Sequence, residues 1–300
     1  MTAQPKWFAH ANVNCSDLDA SERFYVETLD LDARWRTKPS QVQDGAGFGM
    51  PGVPVQWEGA ILTDRRGLRG PAVDLLRWIA PATSGDPYAI LSHLGFRALQ
   101  FTVDDLDGVA VRLAVAGLLV NRRTYRDDHD RAHAVVTTRD PGGTAIELIG
   151  GAAATTYTGV RVNCSDLDAS VDWYRNALGL AAAPNHVVEV LDDRRAVVGR
   201  FRAADVFVPH HPRSFRLELT EWIDPPPTGA PYAVGNHAGV YRVALTVDDI
   251  DVAYSDLRHA LPDALEPVTV DLGETLGPMR ALFFTDPDGC VVELLEQGLR

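Results

Sequence analysis

The nine residues VNCSDLDAS at Val13–Ser21 recur unchanged at Val162–Ser170, 149 positions further on. Chance does not repeat such a run, so the chain contains a duplication. WIAPATSGDPYA from Trp78 matches WIDPPPTGAPYA from Trp222 at an offset of 144, and TRDPGGTAIEL ending at Leu148 matches FTDPDGCVVEL ending at Leu294 at 146. Two collinear halves follow, about residues 1–150 and 151–300. Within each half lies a weaker repeat: SDLD at Ser16 returns as DDLD at Asp104, and SDLD at Ser165 returns as DDID at Asp248. The chain is therefore four related modules.

Each module opens on an alternating stretch such as HANVNC from His10 or RALQFTV from Arg97, whose period of two marks a strand. An Asp- or Ser-rich step then starts a helix. In the first module Ser16 or Asp17 can accept a hydrogen bond from the free amides, and Ala20, Phe24 and Leu29 recur at helical spacing. Shorter β-rich runs broken by Gly and Pro come next, and the second and fourth modules close on a DPxG turn and a strand, AIEL or VVEL. This order predicts an α+β fold.

Strand residues alternate between faces. Ala11, Val13 and Cys15 share one side of the first strand, which should take the helix, and His10, Asn12 and Asn14 share the other. The same alternation sets Gln100, Arg161, Asn163 and Arg242 opposite apolar neighbours, takes Glu147 and Glu293 off the helix-packed face, and puts Asp74 and Glu218 at matching positions. A polar sheet face can simply be wet. Acidic residues recurring at one register in both halves favour a lined cleft instead. Trp78 and Trp222, at the ends of equivalent strands, either wall such clefts or pack into the core.

Lys+Arg number 28 against 41 Asp+Glu, a formal net charge of −13, which repels polyphosphate and anionic membrane surfaces. No nucleic acid and no membrane are expected as partners. The sequence shows neither a membrane-length apolar run nor a signal-peptide pattern at MTAQPKWFAHANVN, so a cytoplasmic location is expected. Cys15, Cys164 and Cys290 have no disulfide or zinc spacing and read as small buried hydrophobes. His93 and His237, in PYAILSH and PYAVGNH, read as structural linker residues, and RDDHDRAH at Arg126–His133 as a solvated hairpin tip.

The run HANVNCSDLDASERFY resembles the opening strand and helix of the vicinal oxygen chelate superfamily, which includes glyoxalase I, bleomycin resistance proteins, fosfomycin resistance enzymes and extradiol dioxygenases. VDDLD, VDDID and DPDGCVVEL look like its later motifs. The resemblance implies four βαβββ modules paired into two cleft-forming domains, 1–150 and 151–300, with metal ligands on the opening and last strands of each pair. Carried over by residue, it implies that His10, Asp74 and Glu147 hold a divalent metal (Fe, Mn, Ni, Zn or Mg), with His10 and Glu147 catalytic and Ala98 where a second histidine is expected. In the second half Gly159 and Arg242 stand at the histidine positions. Arg242 is then expected to pair with Glu293, Glu218 or both, leaving that cleft without metal. Asn12, Asn14, Trp78, Gln100, Arg161, Glu218, Trp222, Arg242 and Glu293 are the expected substrate-pocket residues.

The implied activity is a metal-assisted lyase, isomerase or ring-modifying oxygenase acting on a small molecule. The alternative is a protein without cofactor that sequesters a drug or natural product, and a division of labour between an active first cleft and a structural second one also fits. A monomer or a homodimer is expected.

Overall fold

In a computed structural model, which describes residues 3–151, 153–211, 214–258, 261 and 264–297, every repeat folds as a strand, a helix and further strands. The first module comprises β1 (Phe8–Asn14), α1 (Leu18–Leu29), β2 (Asp32–Thr37), the short β3 (Gln43–Gly45), β4 (Met50–Thr63) and β5 (Ala72–Ala80). The second comprises β6 (Gly95–Val103), α2 (Leu106–Val115), β7 (Asn121–Asp127), β8 (Ala132–Arg139) and β9 (Ala145–Gly150). The third comprises β10 (Thr156–Asn163), α3 (Leu167–Leu178), β11 (Ala181–Ala182), β12 (His186–Leu191), β13 (Val197–Phe207) and β14 (Arg216–Asp224). The fourth comprises β15 (Gly239–Val247), α4 (Ile250–Leu257), β16 (Val268–Asp271), β17 (Pro278–Thr285) and β18 (Val291–Glu296).

The repeated acidic step explains where the helices start. Asp17, Asp105, Asp166 and Asp249 keep extended backbones and accept hydrogen bonds from amides of the first turn. Each such cap stabilises its helix by about 0.5–2 kcal/mol. Leu18, Ser21, Phe24, Tyr25 and Leu29 form the buried stripe of α1. That helix ends on Asp30 in the left-handed conformation, and α3 ends on Gly179 in the same one, where glycine meets no steric penalty.

Strand pairing departs from the expected arrangement. One sheet runs β16-β17-β18-β15-β1-β5-β4-β2, with β3 on β4, and so joins the first module to the fourth. The other runs β11-β13-β12-β7-β8-β9-β6-β10-β14 and joins the second to the third. Each cleft therefore draws on both halves, and residues 1–150 and 151–300 do not each enclose one. The physical reason lies in the apolar faces. The helix-bearing sides of all four modules share a single core, where Leu18, Phe24, Leu99, Phe101 and Ile146 of the first half join Val160, Leu217 and Val243 of the second. Tyr25 of α1 donates to Asp140 in the turn before β9, and Tyr174 of α3 donates to Asp286 before β18. Packed back to back, the modules of one half send their polar faces in opposite directions, and each must find its partner in the other half.

The two sheets also differ in closure. In the second, β7 pairs with β12 across the modules and β13 pairs with β14, so the strands form a closed barrel. In the first, β16 and β2 remain the ends of the strand order, and the Gln43 side chain exchanges two hydrogen bonds with the Asp271 backbone across the gap. Cys15, Cys164 and Cys290 are buried and unpaired. Among the described residues no helix is long and apolar enough to cross a membrane.

Candidate functional site

In the open sheet, β1 lies between β5 and β15, which puts His10 opposite Ala244 and Asn12 opposite Arg242, with Asp74 beside Asn12 on β5. Glu293 sits beside Ala244 on β18. The Arg242 guanidinium donates through Nε to Glu293 Oε2 at 2.7 Å, through Nη1 to Asn12 Oδ1 at 3.1 Å and through Nη2 to Asp74 Oδ2 at 3.5 Å. His10 Nε2 lies 3.2 Å from Glu293 Oε2 and 3.7 Å from Asp74 Oδ2, yet completes a hydrogen bond with neither.

Burial opposes ionisation of Glu293, but the Arg242 guanidinium, with His10 alongside, overrides it and holds the carboxyl down at about 2. Asp74 has the looser contact, and its burial outweighs His10 and Arg242 and pushes its carboxyl up. One carboxylate is thus locked in its ion pair and the other is the more readily protonated.

The barrel carries the same layout with the large side chains exchanged across the strands. Gly159 faces Gln100, and Arg161 faces Ala98. Arg161 donates to Glu218 Oε2 through Nε at 2.9 Å with Nη2 2.8 Å from the same oxygen, reaches Glu147 at 3.3 Å and donates to the Tyr125 hydroxyl at 3.2 Å. Gln100 donates to Glu147 and Glu218. A Cβ on Gly159 would meet Arg216 O at 2.8 Å and Gln100 Oε1 at 2.9 Å, so the position that holds His10 in the open cleft has no room for a side chain here. Burial opposes the Glu218 charge, and Arg161 wins and lowers its carboxyl.

Several expected groupings do not form. Glu147 is on the barrel, away from His10 and Asp74, and Glu293 takes its place beside them. Of the two partners expected for Arg242, Glu293 is its partner, joined by Asp74, and Glu218 instead belongs to Arg161. Asn14, Asn163, Trp78 and Trp222 hold linkers rather than line a pocket. Asn14 Nδ2 donates to the carbonyls of Gly235 and His237 while its Oδ1 accepts from Trp78 Nε1, and Asn163 does the same with Leu91, His93 and Trp222. His93, Tyr88, Tyr232 and His237 stack as four successive rings 3.8–4.0 Å apart. The tract 126–133 is the tip of the β7–β8 hairpin.

The open cleft contains a cavity of about 330 Å³ with His10, Asp74, Arg242 and Glu293 on its polar wall. Trp7, Trp35, Trp57, Leu276 and Met279 make much of the rest. None of these apolar residues stands out in the sequence, because they come from loops and outer strands whose register the repeats do not fix. Inside the barrel, Tyr125, Val135, Val188, Val190, Phe201 and Trp222 form an apolar cluster, and Arg161 lies 4.9 Å from the ring centres of both Tyr125 and Phe201.

The residues present do not fit a resident divalent metal. The Glu293 and Asp74 oxygens that face His10 are the same ones that face Arg242. A dication there would have to displace the guanidinium from both and leave a buried arginine unpaired. Among the described residues no group of three or more His, Cys, Asp and Glu is placed to hold a metal ion.

Residues 7–148 and 156–294 each match the family described as the Glyoxalase/Bleomycin resistance protein/Dioxygenase superfamily. The chain belongs to that superfamily. Among solved structures similar to this superfamily member, glyoxalase I from Zea mays is 20% identical with a TM-score of 0.69, over 97% of this chain and 92% of that one. A putative dioxygenase from Bacillus subtilis is 13% identical with a TM-score of 0.62, over 99% of this chain and 87% of that one. At these identities the likeness is one of fold. No curated protein matches.

Proposed function

We propose that this superfamily member binds a small, largely apolar organic molecule in the open cleft, with His10 meeting its polar end, and that the barrel is the structural counterpart. The observation that carries this reading is the contrast between the clefts: one encloses about 330 Å³ between tryptophans and a polar wall, and the other is closed into a barrel whose middle is filled by Tyr125, Phe201, Trp222 and valines, with a cavity only toward one end. That volume is at the lower end of the roughly 300–1,000 Å³ of small-molecule pockets. In this reading Arg242 balances the Glu293 charge while burial favours the neutral form of Asp74, so a ligand with little charge enters without stranding either of them.

Tryptophan fluorescence with indole, catechol and 2-naphthol as probes tests it. Saturable quenching is expected for at least one probe, weakened by His10→Ala and abolished by Met279→Trp, which fills the cavity. Absence of quenching by all three, or quenching indifferent to both substitutions, would refute the proposal.

A second reading makes the same cleft a metal-independent acid–base catalyst of the lyase or isomerase type. It is favoured by one observation, the unpartnered His10 Nε2 beside Asp74 on the cavity wall. Conversion of a bound probe, lost in Asp74→Asn with binding retained, would select this reading over sequestration.

A further inference from the structure

A second cavity, of about 280 Å³, opens at the end of the barrel where β6, β7 and β9 begin and β8 and β12 finish. Three arginines line it: Arg97, Arg123 and Arg139. Arg97 is placed there by a β-bulge. Ala98 pairs with Arg161 and Phe96 with Val162, which leaves Arg97 as the extra residue, turned out of the regular alternation. It is only 9% exposed, and its Nε has no hydrogen-bond partner. Among the described residues no carboxylate lies within ion-pair distance of Arg97, Arg123 or Arg139. Glu147, which also lines the cavity, is engaged by Arg161, Gln100 and Tyr125. Arg139 is held by the carbonyls of Gly143 and Tyr88, which fix its direction without neutralising it.

Burying an unpaired guanidinium is costly. Burial accordingly lowers the Arg97 pKa, with Glu147 opposing and Arg139 and Arg161 reinforcing the shift. The fold does not demand a charge at this point: the corresponding bulge residue of β15, between Val240 and Arg242, is Tyr241. A cluster of positive charge in a chain of net charge −13 is therefore a local feature of this cavity. Thr138 adds a hydroxyl donor whose Oγ1 is buried and unpartnered, the Thr137 hydroxyl donating to the Asn121 carbonyl, while Leu119 and Val190 supply an apolar wall.

We propose that this end of the barrel is an oxyanion-binding site that takes the carboxylate or phosphate of a small organic molecule against Arg97, Arg123 and Arg139. The anion supplies the counter-charge that the protein omits, and the remainder of the molecule packs on Leu119 and Val190. The site shares no residue with the open cleft, so its test stands apart from that of binding there, and it gives the barrel's end a ligand beside the barrel's structural role.

Thermal unfolding at constant ionic strength, with chloride as reference and inorganic phosphate or malonate as probes at millimolar concentration, tests the assignment. Either probe should raise Tm by about 2–4 °C, as binding to the folded state requires; phosphate alone or malonate alone then identifies the preferred oxyanion. Arg97→Met, which keeps the stem and removes the charge, should fold at least as stably in chloride and lose the shift, and Arg123→Ala at the rim should reduce it. No shift with either probe, or a shift that survives in Arg97→Met, overturns the proposal. Should Arg97→Met fail to fold, an undiminished shift in Arg123→Ala overturns it equally.

Discussion

Arg242 and Arg161 bring a guanidinium to the same point of two related clefts from strands that do not correspond. Arg242 stands on β15 opposite Asn12, and Arg161 stands on β10 opposite Ala98. The exchange extends to the next pair, His10 with Ala244 against Gly159 with Gln100. Each cross-strand pair holds one large and one small or short side chain, so the volume and the charge between the carboxylates are maintained while the donor strand changes.

This equivalence is testable by moving the charge across the strands. Arg242→Ala leaves Glu293 and Asp74 buried without their cation and should lower stability by about 3–5 kcal/mol in urea unfolding. Asn12→Arg in that background rebuilds the barrel's arrangement inside the open cleft. The double variant should recover at least half of the loss. An additive further loss would show that the two positions are not interchangeable.

The packed barrel interior predicts a different response from the open cleft. Phe201 is fully buried against Trp222 and the Arg161 guanidinium, so Phe201→Ala should cost about 3–5 kcal/mol. Quenching of tryptophan fluorescence by a probe in the open cleft should keep its affinity at temperatures where the variant remains folded. Loss of that affinity would mean that the barrel takes part in the binding.

Asn14 and Asn163 were readable as polar residues on the cleft side of their strands but not as linker anchors. Each satisfies two carbonyls of a linker and the indole of a tryptophan. Replacing either by alanine strands buried groups and should cost about 2–4 kcal/mol. It should also speed proteolysis at residues 228–237 for Asn14→Ala and 84–93 for Asn163→Ala, with ligand affinity little changed. A drop in affinity without a change in proteolysis would restore them to the pocket.

The four modules were legible because period and repeat are local properties: the Asp17 and Asp166 caps and the alternation through Val13 and Val162 lie within a few residues of one another. Superfamily membership was legible for the same reason. Which module faces which was not, since the pairing of Asn12 with Arg242 depends on back-to-back packing of the helices across each half. For this reason the sequence alone groups Glu147 with His10, whereas the cross-half pairing puts Glu293, its equivalent in the second half, there instead. Arg97 was beyond reach because a bulge interrupts the alternation on which its direction would be read, and Tyr125 because nothing in NRRTYRD identifies the one residue that meets Arg161.

Asp140 and Asp286 give the fold a pH dependence of definite sign. Burial raises each carboxyl from 3.8 to about 6, even though backbone amides and the hydroxyls of Tyr25 and Tyr174 favour the ionised form. The folded state therefore binds more protons than the unfolded state between about pH 4 and 6, and stability contributed by the protonated forms is lost as pH rises through that window. Two units correspond to about 3 kcal/mol for each group. Glu293 acts in the opposite sense, its stabilisation being lost as pH falls through 4.5 toward about 2, and it cancels in a comparison of variants that share it. Asn at both positions preserves the acceptor oxygens for the turn amides and removes the titration. The Asp140→Asn/Asp286→Asn variant should gain stability relative to wild type as pH is raised from 4 to 6.5 and hold a constant difference above 7, measured by urea unfolding across the series. A difference that does not change with pH would show that these carboxyls titrate alike in the folded and unfolded chains.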